Sequence, residues 1–132
     1  MSIQYKAGYK YQLVADYVIS VSLPTTAETM FLSLTEGQLF IRAGYAWDGP
    51  SGPAIDTKNF MRGSLVHDAI YQLIRDGHVP EHYRWYADRM LQKICVQDGM
   101  SALRAWWVYK AIRFGGKSSA EITAGRQTLF AP

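Results

Sequence analysis

The chain has 132 residues, of which 48% are hydrophobic, 14% aromatic and 19% charged. This composition excludes an intrinsically disordered chain. The length suits one domain whose hydrophobic core is large enough to fold without a disulfide or a structural metal. The net charge of +3 suits an anionic partner such as a lipid surface and is too small to indicate nucleic acid. Cys95 is the single cysteine, so an internal disulfide is excluded and a reducing compartment is favoured.

The N-terminal sequence lacks the apolar core of a signal peptide. No apolar run reaches the roughly 20 residues that a membrane span needs. We therefore expect a protein without a signal peptide or transmembrane segment that starts in the cytosol.

Residues 1–45 are predicted to form a sheet. Apolar residues recur at every second position from Leu13 to Leu23, which is the pattern of a half-buried strand. Two more apolar segments flank the turn sequence Thr35-Glu36-Gly37, which predicts a β-hairpin. The next segment, GYAWDGPSGP, holds three glycines and two prolines, so we predict a shaped loop over residues 46–57.

Three helices are predicted over residues 58–116, because apolar residues recur there at spacings of three and four. Residues 117–132 are predicted to form a polar tail, which is either loose or a docking peptide. The predicted fold class is α+β: one domain over residues 1–132, with a small N-terminal antiparallel β-sheet followed by a three-helix core. The helix ends are predicted from capping and turn residues, which are Asp76-Gly77, Pro80-Glu81, Asp98-Gly99, Ser101 and Gly115-Gly116.

The segment LVHDAIYQL in the first helix carries the strongest chemical signal. His67 and Tyr71 are four residues apart and share a helix face, whereas Asp68 points about 100° away. One side chain can therefore face a reaction centre while its neighbour faces a metal. The alternatives are a polar pair on the rim of an ordinary helix and, for Tyr71, a core aromatic residue with its hydroxyl satisfied.

Asp88 lies in an apolar part of the second helix, so its carboxylate is expected to be partly buried and to need a partner. Packing of the two helices would place Asp88 against His67 or Tyr71. A histidine oriented by a buried aspartate is the arrangement of a general base, and we expect His67 to be neutral near pH 7. The alternative is an ion pair of Asp88 with Arg62, Arg84 or another base.

The loop upstream of the first helix is a candidate metal site. Backbone carbonyls and an acidic side chain are the oxygen ligands that Ca²⁺ takes, so Asp48 and Asp68 could share a hard cation. The alternative for Asp48 is a turn-forming residue. Trp47 and the aromatic residues of the third helix are candidates for a lipid interface, although their spacing favours the core. No role is predicted for His78 and His82.

Four segments, D-G-P-S-G-P, H-D-A-I-Y, Y-A-D-R-M and Y-K-A-I-R-F-G-G, occur in that order between Ala43 and Gly116. They resemble the phage and prophage family known as domain of unknown function 1353. Their order is also similar to that of the secreted calcium-dependent phospholipases of the A-two class, especially the bacterial and fungal branch. In those enzymes a glycine-rich calcium loop precedes a helix with His-Asp-x-x-Tyr, and a second helix supplies an aspartate that orients the histidine.

The phospholipase resemblance implies catalytic roles at three positions. His67 corresponds to the catalytic base, Asp88 to the aspartate that orients it, and Tyr71 to a hydrogen-bonding tyrosine. The late segment from Tyr109 to Arg113 corresponds to a Tyr-x-Ala-Val-Arg segment near the end of the bacterial enzymes, which we interpret as packing.

The same resemblance implies a calcium cofactor. Asp68 corresponds to a calcium ligand, and Asp48 and the Gly49 backbone fall where the loop ligands lie. The chain departs from those enzymes in its single cysteine and in the glycine spacing of its loop.

Two functions are therefore predicted. The first is a phage-encoded, phospholipase-like hydrolase that cleaves phospholipid esters with calcium at a membrane surface. The second is a non-catalytic phage structural, assembly or host-interaction protein that binds other phage proteins. Either would act in the host cytoplasm or in the virion. A metal-dependent phosphohydrolase of the histidine-aspartate type is disfavoured, because no histidine precedes His67.

Overall fold

The computed structural model describes residues 3, 5–6, 11–47 and 58–121. Within these residues, strands come first and helices follow, which confirms the predicted α+β class. The strands are β1 (Tyr5–Lys6), β2 (Tyr11–Leu13), β3 (Tyr17–Ser20), β4 (Ala27–Glu28), β5 (Leu32–Thr35), β6 (Gln38–Ile41) and β7 (Ala46–Trp47). The helices are α1 (Lys58–Arg75), α2 (Arg84–Gln97) and α3 (Ala102–Glu121), and a short 3₁₀ helix at Glu81–Tyr83 leads into α2.

The described strands form two antiparallel sheets, with the orders β1-β2-β7 and β3-β6-β5-β4. The predicted hairpin is confirmed as β5 and β6, with Thr35 paired to Gln38 at its end. The turn residues Glu36 and Gly37 have φ values of 50° and 77°. Two successive residues with positive φ match the right-handed twist of the flanking strands, which explains the glycine in this turn.

The prediction of one continuous strand from Leu13 to Leu23 is wrong. The chain leaves the first sheet after β2 and enters the second at β3. At the break, Asp16 Oδ1 accepts a 2.7 Å hydrogen bond from the backbone N–H of Ala43. Apolar alternation could not reveal the break, because the odd-numbered residues are the more buried ones in both short strands. Strand β7 also occupies the first two residues of the predicted loop.

The main hydrophobic core lies between the sheets and the helices α1 and α2. Gly63 of α1 marks a close approach of these two helices. A Cβ atom at this position would lie 2.9 Å from Leu91 Cδ1 and 3.1 Å from Cys95 Sγ. The absence of a side chain at Gly63 therefore allows α1 and α2 to pack at short distance.

Helix α3 packs on a smaller core cluster through its residues Val108 and Ile112. Its predicted N-cap is confirmed, since the N–H of Arg104 donates to Ser101 Oγ at 3.2 Å. The predicted end at Gly115-Gly116 is wrong, because the backbone stays helical to Glu121. Glycine weakens a helix interior by about 1 kcal/mol but does not exclude helical dihedral angles.

Arg62 of α1 is buried and binds the end of α2. Its Nε and one terminal nitrogen donate to the two carboxylate oxygens of Asp98, at 3.0 and 2.9 Å. The other terminal nitrogen donates to the hydroxyl of Tyr17 in β3 at 2.8 Å. Among the described helices, none combines the length and the apolar character of a membrane span.

Candidate functional site

Three helices meet at the carboxylate of Asp88. His67 Nε2 of α1 lies 2.7 Å from Asp88 Oδ1. The hydroxyl of Tyr71, one turn further along α1, donates to the same oxygen at 2.9 Å. Arg113 of α3 donates to the other oxygen, Oδ2, at 2.9 Å. The structure thus brings the three predicted catalytic positions together and adds a fourth side chain.

The site is enclosed by the helices. Asp88 has no exposed surface, Tyr71 is 3% exposed and His67 is 8% exposed. A buried carboxylate is costly unless it is paired and hydrogen-bonded. Asp88 meets this requirement, because three donors converge on its two oxygens. Among the described residues, no buried side-chain nitrogen or oxygen lacks a hydrogen-bond partner.

The ring of His67 is held between two carboxylates. Its Nε2 faces Asp88, whereas Nδ1 lies 3.6 Å from Oδ1 of Asp68. The ring also lies against the ring of Tyr71, with centroids 4.2 Å apart. The side chain of Asp68 is about one third exposed. Asp68 therefore lies on the open side of the histidine and Asp88 on the closed side.

The charge state of His67 follows from this arrangement. Burial disfavours the imidazolium, but the neighbouring carboxylates of Asp68 and Asp88 outweigh burial and raise the pKa of His67 to about 9. This direction runs against the expectation that His67 is neutral near pH 7, because both carboxylates favour the imidazolium. Burial and the charge of Asp88 also raise the pKa of Tyr71, so its hydroxyl stays a donor.

The predicted calcium ligands are only partly within the described chain. Asp48 and Gly49 lie outside the described residues. Asp68 is present with accessible surface on its carboxylate, but the described residues contain no group of three or more His, Cys, Asp or Glu side chains that could hold a metal ion. Trp47, the residue before Asp48, donates from its indole nitrogen to Ser64 Oγ at 3.0 Å.

That indole hydrogen bond connects the start of the predicted loop to helix α1. Ser64 lies four residues before Asp68, so one turn of α1 separates them. Trp47 is 2% exposed, which confirms the core position that its spacing favoured over a lipid contact. Its buried ring anchors the segment that leads to Asp48 against the part of α1 that carries the His-Asp pair.

Arg113 is the base that pairs with Asp88, so the predicted alternative of an ion pair is confirmed, with a residue that the sequence did not single out for this role. It was predicted to serve packing, whereas it forms an ion pair with Asp88. The alternative partners Arg62 and Arg84 pair elsewhere, with Asp98 and Glu81 respectively. The signal available in the sequence was an arginine directly after Ile112, at the edge of the apolar face of α3.

The aromatic residues of α3 also differ from the expectation. Trp106 and Trp107 are 42% and 61% exposed, so the prediction that they belong to the core is wrong. Tyr109 is half-buried, and the guanidinium of Arg89 lies 4.4 Å from its ring centroid. His82 lies against the ring of Tyr83 at the turn before α2, away from Asp88.

No family model, curated protein or solved structure matches the chain.

Proposed function

We propose that the chain is a phage-encoded, phospholipase-like hydrolase that cleaves phospholipid esters with the help of calcium. The observation that supports this best is the 2.7 Å contact between His67 Nε2 and the fully buried carboxylate of Asp88. A histidine held in this way is oriented as a general base. The resemblance to the calcium-dependent phospholipases described above implies the same reaction.

In the proposed reaction, Asp88 fixes the tautomer of His67 that carries a proton on Nε2. Nδ1 is then the nitrogen that takes a proton from water. The hydroxide so formed adds to the acyl carbonyl carbon. When the ester C–O bond breaks, the proton on Nδ1 passes to the leaving alkoxide oxygen, which restores neutral His67. No covalent acyl-enzyme is required.

The other two contacts of Asp88 are hydrogen bonds donated to its carboxylate. Tyr71 and Arg113 each donate to one of its oxygens, which offsets the cost of burying the carboxylate. The Asp88 carboxylate stabilises the imidazolium that forms during proton transfer. Arg113 is therefore a positioning residue that acts through Asp88.

Calcium would be held by the oxygens of Asp68, with Asp48 and the Gly49 backbone as further ligands. The fit rests on the accessible carboxylate of Asp68 and on the Trp47–Ser64 hydrogen bond, which anchors the segment before Asp48. When bound, the ion would offset the charge of Asp68 that raises the pKa of His67 and would polarise an acyl carbonyl.

The test is fatty-acid release from mixed anionic and zwitterionic vesicles, with calcium and with a chelator. We expect release with calcium and its loss with the chelator. Asp68→Asn should lose the calcium-dependent release, whereas Asp76→Asn, an exposed residue directly after the same helix, should keep it. Full calcium-dependent release by a folded Asp68→Asn protein would contradict the proposed metal site.

The second candidate is a non-catalytic phage structural, assembly or host-interaction protein. It is favoured by the mutual satisfaction of Asp88 and the three side chains around it and by the raised pKa of His67. Such a network can hold three helices together without a substrate. Stoichiometric presence in purified virions, with no fatty-acid release under either condition, would support this candidate over hydrolysis.

A further inference from the structure

We propose that the outward face of α3 is a docking surface for an anionic lipid membrane. This face is defined by Leu103, Trp106, Trp107, Lys110 and Phe114. The inference deepens the proposed function and rests on it for the identity of the substrate. Its own observations come from α3 alone.

Helix α3 has two apolar faces, although packing in the protein uses only one. Ala105, Val108 and Ile112 face the smaller core cluster. Leu103, Trp107 and Phe114 lie at positions i, i+4 and i+11, which places them together on the opposite side of the helix. A helix that only packs on a protein core needs one apolar face, so the second face requires a different explanation.

The second face is strongly exposed. Leu103 is 68% exposed, Trp107 is 61% exposed and Phe114 is 95% exposed. Trp106 lies beside them, with its ring edge-on to that of Trp107 and the centroids 5.1 Å apart. Single exposed apolar residues are ordinary, but a contiguous aromatic patch indicates a binding partner.

The charge of α3 identifies the kind of partner. Between positions 102 and 120 the sequence has four basic residues and no acidic residue. One of the four, Arg113, is paired with Asp88, which leaves three basic residues without that partner. Lys110 lies within the outward face, and its Nζ is 5.7 Å from the ring centroid of Trp106. Tryptophan beside lysine is typical of helices at the interface of an anionic bilayer. Dimerisation through this face would instead bring two positively charged surfaces together, which is unfavourable.

The docking surface is close in sequence to the site. Phe114 directly follows Arg113, whose guanidinium donates to Asp88. Contact of α3 with a membrane would therefore bring the helix that completes the site to the lipid surface. A water-soluble ester would not need this face, which makes the docking surface specific to substrates held in an aggregate.

The test is co-sedimentation of the full chain with phosphatidylglycerol vesicles and with phosphatidylcholine vesicles. A chelator is present, so that calcium-dependent hydrolysis does not change the lipid. We expect binding to phosphatidylglycerol that weakens as salt is raised, and at least about tenfold weaker binding to phosphatidylcholine. Lys110→Glu should reduce this preference for the anionic lipid.

The decisive variant is the double substitution Trp107→Ser and Phe114→Ser. Because both side chains are exposed, folding should be retained, and the affinity for phosphatidylglycerol vesicles should fall by about tenfold or more. Met30→Ser is the matched control: this residue is 80% exposed but lies before β5, outside α3, and should not change binding.

Several outcomes would overturn the docking surface. The first is no binding of the wild type to phosphatidylglycerol vesicles, and the second is equal binding by the folded double variant. The third is that the wild type forms a dimer or an oligonucleotide complex, and that the double substitution abolishes this complex but leaves vesicle binding unchanged. Vesicle binding without fatty-acid release with calcium would leave the docking surface in place and contradict hydrolysis. Release of fatty acid from a monomeric ester without vesicle binding would support hydrolysis and contradict the docking surface.

Discussion

Nε2 of His67 lies 2.7 Å from Oδ1 of Asp88, across the interface between α1 and α2. This distance depends on how closely the two helices pack. Gly63 precedes His67 by four residues, and the nearest atom to its missing side chain belongs to Leu91, three residues after Asp88. The contact at Gly63 therefore lies about one helical turn from the His67–Asp88 pair on both helices.

The first prediction concerns this close approach. Gly63→Ala should lower the free energy of unfolding by about 1–3 kcal/mol, because the added methyl meets Leu91 Cδ1 at 2.9 Å and Cys95 Sγ at 3.1 Å. Urea unfolding followed by circular dichroism measures this change. Leu91→Ala removes the nearest obstacle, so the double variant should be destabilised by less than the sum of the single variants. Strict additivity would contradict the account of Gly63.

The second prediction concerns Arg113. Arg113→Met should lower the free energy of unfolding by about 2 kcal/mol, because it leaves Oδ2 of the buried Asp88 without its cation. Arg113→Lys should recover part of this loss. The matched control is Lys93→Met, which removes a positive charge from the groove between α2 and β3. Equal stability of Arg113→Met and the control would show that the ion pair contributes nothing measurable.

Arg113 also has a predicted functional readout. If it positions Asp88, the pH profile of ester hydrolysis should shift in Arg113→Met, since the donor on Oδ2 influences the charge that stabilises His67. Arg113→Lys should restore the profile toward that of the wild type. A purely structural role would lower stability and leave the pH profile of the folded enzyme unchanged.

The third prediction concerns pH and stability in the presence of a chelator. The pKa of His67 is raised to about 9 in the folded chain from its ordinary value near 6.5. A raised pKa gives stability that is fully present below pH 6.5 and is lost as the pH rises through 9. The magnitude is on the order of 3 kcal/mol.

The measurement is the free energy of unfolding of the wild type and of His67→Gln between pH 6 and pH 10. The difference between the two proteins should shrink across this range, because glutamine carries no proton that titrates there. A difference that stays constant from pH 6 to pH 10 would show that His67 is not held as an imidazolium. Using the difference removes the contributions of other groups that titrate in both proteins.

The sequence predicted the helical part of the site well, because its signals are local. His67 and Tyr71 share a face through their spacing alone, and the apolar neighbours of Asp88 indicate that its carboxylate is buried. The fully buried Asp88 confirms that expectation of burial. The hairpin at Glu36-Gly37 was predictable for the same reason, since its turn residues need positive φ.

Features that depend on distant parts of the chain were not predictable in this way. Arg113 pairs with a carboxylate 25 positions away, and periodicity gives no information about which helix edge meets Asp88. The break at Asp16 depends on a hydrogen bond from Ala43, 27 positions away. Trp106 and Trp107 were expected in the core because helical spacing shows that a stripe exists but not which side of the helix is covered.

The central claim is that His67 is the base of an esterase, and one comparison tests it most directly. Fatty-acid release with calcium is measured for the wild type, His67→Ala and His82→Ala, with folding of each checked by circular dichroism. His82 is exposed, so its substitution removes a histidine without touching Asp88. The account predicts release by the wild type and His82→Ala and none by a folded His67→Ala. Equal release by folded His67→Ala, or none by the wild type, would contradict it.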